Sequence, residues 1–336
     1  MLLLARKRAK HMHIMVVGGT GLLGYHTILA GIRRGHTFGA LAVDDIPLSG
    51  WYPKSVALSF GNVFTLTETE LTERFQGYDA LVYAVGPDDR VTPPAPAYEF
   101  FHTRLVEACL KTVTAAVKAG VKRCVIMGSY FAYFDRIWPD KKLSSIHPYI
   151  RCRVEQEQCT IDAGAGHMAV MILELPYIFG SMPERMPIWR SALLDRFDKG
   201  RVMFFPKGGT SMIAVQHVGE AAIGALENGS HGGHYPVGDE NHTFHEMLEM
   251  FNEALGKPRR IINIPRFIAV IAGRAIRRDH RKKGLESGLD PVHLMRNIMT
   301  DYCYFDSDES AKVLGFERGG LKEAIADTVR ASYTKN

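Results

Sequence analysis

Short unbroken apolar runs alternate along this chain with longer stretches of helical spacing. The runs at residues 14–17, 38–43, 78–85, 121–127 and 168–175 suit strands buried on both faces, and a shorter one at 55–60 ends at Gly61 and Asn62. Between them lie helical patterns at 25–34, 68–75, 98–119 and 149–162, the first and third closed by Gly35 and Gly120. Strands separated by helices of this length demand a parallel sheet covered on both sides, the doubly wound α/β class. A strand at 212–215, a helix running to Leu226 and a strand at 234–237 extend the rhythm; beyond Gly238 it turns helical, at 243–255, 266–278 and 321–331. The expected organisation is a Rossmann-type nucleotide-binding domain, residues 12–180 plus about 212–238, and a smaller, mostly helical substrate domain, residues 181–211 plus 239–336.

The first chemistry follows the first strand. Gly18, Gly21 and Gly24 let backbone approach a diphosphate where side chains would block it, and the next helix aims its amides at the anion. Thr20, Leu22 and Leu23 complete that turn as cofactor-binding candidates. Ser129 stands at the end of the 121–127 strand, and Tyr149 shares a helical face with Arg153 four positions on. A phenol beside a nicotinamide takes or gives the proton that accompanies hydride transfer, and a nearby cation lowers its pKa. The plainer alternative is that Ser129 and Tyr149 are satisfied locally and that Arg153 pairs with Glu157 on the surface. Tyr130, Phe131, Tyr133, Phe134 and Trp138 suit either an apolar pocket wall or ordinary packing. Residues 88–96, rich in proline, read as an irregular loop.

Composition narrows the classes. With 336 residues, 46% of them hydrophobic, the chain can bury a large core, and 41 basic against 36 acidic residues is too small an excess to point to nucleic acid. The dense patch Arg274, Arg277, Arg278, Arg281, Lys282 and Lys283 follows an apolar stretch at 267–272, so it is either a solvated helix end or a peripheral contact with a membrane surface or an anionic substrate. Five cysteines without a CxxC pair read as reduced thiols in a cytoplasmic protein, and no spacing suggests a metal site. No run reaches transmembrane length. Residues 1–11 place leucines before basic residues, the reverse of a secretory signal, and are expected to be an appended, disordered extension.

These segments together resemble the extended short-chain dehydrogenases/reductases, the NAD-dependent epimerase/dehydratase group. The resemblance runs from about Met12 to Val329. It takes in the glycine turn, Gly61 to Val63, Ala84 to Gly86, AGVKR at 119–123, Ser129 with Tyr133, the Tyr149 helix, LPYIFG at 175–180, AVQHV at 214–218 and FDSDESAKVLGF at 305–316. It implies an NAD(P)-dependent oxidoreductase acting on a hydroxyl or ketone, with Tyr149 as acid/base, Ser129 polarising the oxygen and Arg153 on the nicotinamide ribose. Asn62, Val63, Ala84, Val85, Gly86, Pro176 and Ile178 would then touch the cofactor. A homodimer through the 98–119 and 149–162 helices is implied as well.

Several positions depart from that pattern. Arg153 replaces a lysine and cannot shuttle a proton. Leu105 stands in place of an asparagine, Glu174 of an arginine, Asn62 of an acid, and Gln216 with His217 of paired aspartates. The second strand ends in Ala42 and Val43, neither of the usual selectors; Asp44 and Asp45 just beyond tilt the choice from NADP to NAD, unless both merely cap a surface loop. The aromatic cluster and the lack of an arginine near Ser211 favour a small apolar substrate. A nucleotide-sugar epimerase/dehydratase and a cofactor-binding protein of little turnover are the alternatives.

Overall fold

The computed structural model describes residues 11–334, so the expectation for residues 1–11 lies outside it for all but His11. Six strands in chain order, His13–Val17 (β1), Thr37–Ala42 (β2), Ala57–Phe60 (β3), Ala80–Tyr83 (β4), Arg123–Met127 (β5) and Ala169–Glu174 (β6), are joined by Gly233–Pro236 in one sheet. Its order is 233–236, β6, β5, β4, β1, β2, β3, and every pairing is parallel. Successive side chains leave opposite faces. Ile14, Val16, Val82 and Val125 pack beneath the helices Leu22–Arg33 and Val215–Asn228. Met15, Val17, Leu81 and Ile126 pack beneath Glu68–Phe75 and Ala108–Lys118. Both faces are covered, which is why the strands read as unbroken apolar runs.

The chain winds outward from β1 to β3, then returns to place β4 on the other side of β1. That reversal opens a crevice beyond the carboxyl ends of β1 and β4, where doubly wound sheets bind ligands. The remaining sequence closes over it. A four-stranded sheet joins Tyr177–Phe179, Gly209–Ala214, Glu240–Thr243 and Tyr302–Cys303, and Val202–Pro206 pairs with Arg260–Ile264. Phe179, Trp189, Phe244, Phe251 and Ile325 form its core with the helices Phe244–Leu255 and Leu321–Tyr333.

Three differences from the sequence expectation have local causes. The first helix begins at Leu22 rather than residue 25, because Gly21 is extended and serves as its N-cap. The predicted helix 98–119 is interrupted by a π-helical segment, His102–Glu107, whose wider turn a 3.6-residue period cannot register. The 212–215 strand is part of Gly209–Ala214 and pairs in the small sheet, leaving only 233–236 to extend the large one. All five thiols are free. No described helix is long and apolar enough to cross a membrane.

Under the carboxyl ends of β5 and β6 lies a charged quartet. Glu157 and Glu174 are buried, and Arg136, from the helix Tyr130–Ile137, donates to both. His234 approaches them at 3.4 and 3.6 Å, and the nearness of Glu157 and then Glu174 raises its pKa to about 9. Two carboxylates therefore face two cations. Glu174 sits where the resemblance has arginine, and Arg136 supplies that guanidinium from a neighbouring helix. Arg136→Leu leaves two buried carboxylates sharing the single cation of His234 and is expected to cost about 2–4 kcal/mol, read as a lower urea midpoint at unchanged slope. Glu174→Gln in the same chain should recover most of the loss; a pair of variants that simply add would refute the coupling.

Candidate active site

The crevice is shaped by glycine. Gly18 has φ +90°, and a Cβ there would lie 2.7 Å from the Ala84 carbonyl oxygen and 2.8 Å from Val85 Cγ2. A Cβ on Gly24 would run into the Gly18 carbonyl. The Gly21 amide donates to that carbonyl at 2.9 Å, and no side chain caps the helix Leu22–Arg33. Its first-turn amides are thus left for something outside the helix. An uncapped helix start beside a cradle without side chains fits a diphosphate.

A cavity of about 220 Å³ opens next to that helix start. Leu22, Leu23, Gly86, Ser129, Tyr149, Arg153, Pro176 and Ile178, eight of the residues expected from sequence, line it. Tyr149 and Arg153 are only 4% and 8% exposed. Arg153 Nε donates to the Tyr149 oxygen at 2.9 Å, while Nη1 donates to the Met127 carbonyl at 3.2 Å and to Gln156 Oε1 at 2.9 Å. The surface pairing of Arg153 with Glu157 therefore does not form; Glu157 goes to Arg136 and His234. Burial pushes the Tyr149 phenol above its ordinary pKa, and the Arg153 charge pulls it back. Ser129 Oγ accepts from the Phe131 amide at 3.4 Å, so this residue starts a helix as well as lining the cavity.

Other expected residues lie elsewhere. Thr20 is buried, and its carbonyl accepts from Arg185 Nε at 2.9 Å. Asn62 is exposed and accepts from the Phe64 amide at 3.0 Å, and Val63 packs in the core with Leu71 and Phe75. Ala84 and Val85 press against Gly18. Asp44 is exposed, whereas Asp45 holds Arg185 through both carboxylate oxygens, at 2.7 and 3.0 Å. Arg185 follows Glu184, whose φ of +61° and the bridge from Met182 to Arg185 make a tight hairpin across the glycine turn. Leu105 is buried against Gly86 and shares a cluster with Phe101, Phe131 and Tyr149, so an apolar contact fills the asparagine's place. His217 Nδ1 meets Asp239 at 2.8 Å.

Sequence reasoning missed part of the wall. Asp88, Asp89 and Arg90 line the cavity with Tyr177, Ile188 and Trp189. The Arg90 guanidinium bonds Asp88 at 2.7 Å and lies 4.6 Å from the Trp189 ring centroid. Burial, then the neighbouring Asp88, raises the Asp89 carboxyl to about 7 against the pull of Arg90. The available signal was an acid, acid, arginine run directly after Gly86 and Pro87, at the carboxyl end of a sheet strand.

Residues 14–238 match the family described as NAD dependent epimerase/dehydratase. Sterol demethylase protein B of Methylococcus capsulatus is 22% identical over 333 residues, 95% of this chain and 97% of that protein. A nucleoside-diphosphate-sugar epimerase from Pseudomonas aeruginosa has the same fold, with a TM-score of 0.69, 16% identity, and 96% and 97% of the two chains covered. So does the Bordetella bronchiseptica enzyme WbmH in complex with NAD+, at a TM-score of 0.66, 16% identity, and 95% and 98% covered.

The Asp45 to Arg185 bridge generates a test of cofactor choice. Asp45→Asn removes one carboxylate and frees a guanidinium beside the glycine turn, so the ratio of the NADP Kd to the NAD Kd, measured by calorimetry, is expected to fall roughly tenfold. An unchanged ratio would separate this bridge from cofactor recognition.

Proposed function

The chain belongs to the NAD dependent epimerase/dehydratase family, and on that premise we propose that it is an NAD(P)-dependent oxidoreductase that interconverts a hydroxyl and a ketone on a small, apolar substrate. One observation carries the reading: the phenol of Tyr149, held by Arg153, lines the same cavity as the open helix start at Leu22 and Leu23. The glycine cradle and that helix start would hold the cofactor's diphosphate, with Gly86, Pro176 and Ile178 around the nicotinamide half. When bound, the nicotinamide supplies or accepts the hydride.

The chain's own residues handle the proton. In ketone reduction Tyr149 donates its hydroxyl proton to the carbonyl oxygen, and Ser129 Oγ provides a second hydrogen bond there. Arg153 Nε–H steadies the oxygen that has lost its proton. Because a guanidinium stays charged, Arg153 does not return that proton. Leu105 closes the route through its helix, so reprotonation comes from the cavity side. Asp44 and Asp45, both carboxylates just past β2, disfavour a 2′-phosphate and support NAD.

Tyr130, Phe131, Tyr177, Ile188 and Trp189 make much of the wall aromatic or aliphatic, which supports an apolar substrate, as does the sterol demethylase relative. The Asp88 to Arg90 edge favours the second reading, a hydroxyl-rich nucleotide sugar. In either case the segments before 180 and 212–238 would hold cofactor and the remainder substrate. Pairing of two copies through the helices Ala108–Lys118 and Pro148–Gly164 belongs to the same proposal.

The test follows nicotinamide absorbance with NAD(H) and NADP(H) across sterol and other apolar ketones and alcohols, with epimer formation from UDP-sugars in parallel. Tyr149→Phe is expected to lower kcat by roughly 10²–10⁴-fold at unchanged cofactor affinity. Epimer formation alone supports the nucleotide-sugar reading. Cofactor binding without turnover by either protein, and activity gained on Arg153→Lys, would leave a binding protein.

Asp89 adds a pH dependence. Its carboxyl is neutral below about 7 and charged above it. KM for an apolar ketone is therefore expected to climb as pH rises through that value, and Asp89→Asn should flatten the profile.

A further inference from the structure

The helix Arg266–Lys282 packs on the rest of the molecule through a narrow stripe. Ala269, Val270 and Gly273 are buried, the last so close to the helix Pro291–Asn297 that a Cβ would lie 2.5 Å from the Pro291 carbonyl oxygen. At helical spacing the opposite side lines up Phe267, Ile271 and Ala275 with Arg274, Arg278 and Lys282. Phe267 is 66% exposed, Ile271 58% and Ile268 42%. The strand Arg260–Ile264 leads straight into this helix, and its partner strand exposes Val202 and Phe204. Exposed apolar side chains grouped along one helix face mark a contact surface.

Charge identifies what the patch contacts. Arg266 pairs with Asp301, Arg277 with Asp290 and Lys283 with Asp279. Arg274, Arg278, Arg281 and Lys282 have no carboxylate in ion-pairing distance among the described residues. The outward face thus runs from bare apolar side chains to uncompensated cations. A second copy fits poorly. Two-fold pairing of this helix would set Arg274, at its middle, against its own counterpart, and the one acid of the helix, Asp279, is already paired with Lys283. A bilayer with anionic head groups meets both halves, taking up the apolar turn and pairing phosphates with the arginines.

We propose that the outward face of the helix Arg266–Lys282 docks the protein on an anionic lipid surface, with Phe267, Ile268 and Ile271 entering between head groups and Arg274, Arg278 and Lys282 on phosphates. No residue of this helix lines the catalytic cavity, so the surface stands or falls independently of the proposed reaction.

Co-sedimentation of the full chain with vesicles tests it, using phosphatidylcholine alone or with phosphatidylglycerol at roughly one part in three. Binding is expected only to the anionic vesicles and should weaken as salt is raised. Phe267→Ser with Ile271→Ser, and separately Arg274→Gln with Arg278→Gln and Lys282→Gln, should each lower it roughly tenfold or more, with unaltered melting temperature and cofactor binding. In Phe267→Trp, emission should shift to the blue on adding anionic vesicles. Absent binding, equal binding to neutral vesicles, or full binding by both sets of variants overturns the proposal. A concentration-dependent dimer that Ile271→Ser dissolves also overturns it and assigns the face to a second copy.

Discussion

Two strand ends meet at Gly18 with no room for a side chain between them. β1 and β4 are neighbours in the sheet, and the turn after β1 bends at a positive φ directly against the Ala84 carbonyl. Only glycine satisfies both demands there. Because the turn stays that low, the following helix starts immediately at Leu22, and its free amides end up beside the exit of β4 rather than above it. Everything chemical is then reached from that point: Gly86 leaves β4, Ser129 leaves β5, and Pro176 and Ile178 follow β6, all at one edge of the sheet. The cavity is a consequence of strand order and of one residue without a Cβ.

The departures from the resembled pattern behave as connected changes. A buried guanidinium at Arg153 needs acceptors for its fixed, planar donors, and the Tyr149 oxygen, the Met127 carbonyl and Gln156 provide three of them. A lysine would present a single rotating ammonium to the same oxygen. In the helix behind Tyr149, Leu105 offers no polar group and makes apolar contact against Gly86 instead. Glu174 is the second connected change. Reversing charge at a fully buried position is tolerable only if a cation arrives from elsewhere, and Arg136 and His234 both do.

What the sequence disclosed follows from which forces are local. Alternation of buried strands and amphipathic helices is written in residue spacing, so β1 to β6 and the long helices were all legible. The glycine turn, Ser129, Tyr149 and Arg153 were legible because each sits where a strand stops or a helix turns. Arg153 could be named, but not its partner, because burial decided between Tyr149 and Glu157, and burial depends on the packing of the Tyr130–Ile137 helix above them. The short strands near 202–206, 260–264 and 302–303 carry too few residues for periodicity, and long-range pairing alone makes them strands. Asn62 and Val63 were named from the resemblance alone; in the structure Asn62 caps its own turn and Val63 packs in the core, contacts that residue spacing does not encode.

The Asp88 to Arg90 segment shows why a pocket wall is harder to read than two side chains one helical turn apart. Its residues belong to a loop whose composition announces only irregular backbone, and their environment is created by Tyr177 and Trp189, nearly a hundred positions away. Arg90 stacked on Trp189 meets Asp88 at 2.7 Å and leaves Asp89 as the more distant of the two acids, 3.7 Å from the same guanidinium. A carboxyl so placed stays neutral more readily than a surface aspartate. An otherwise aromatic cavity can therefore present its acidic edge as a hydrogen-bonding group in one protonation state and as a charge in the other. The polarity of this part of the cavity wall is then set by the balance between Asp88, Asp89 and Arg90 rather than by residue type alone.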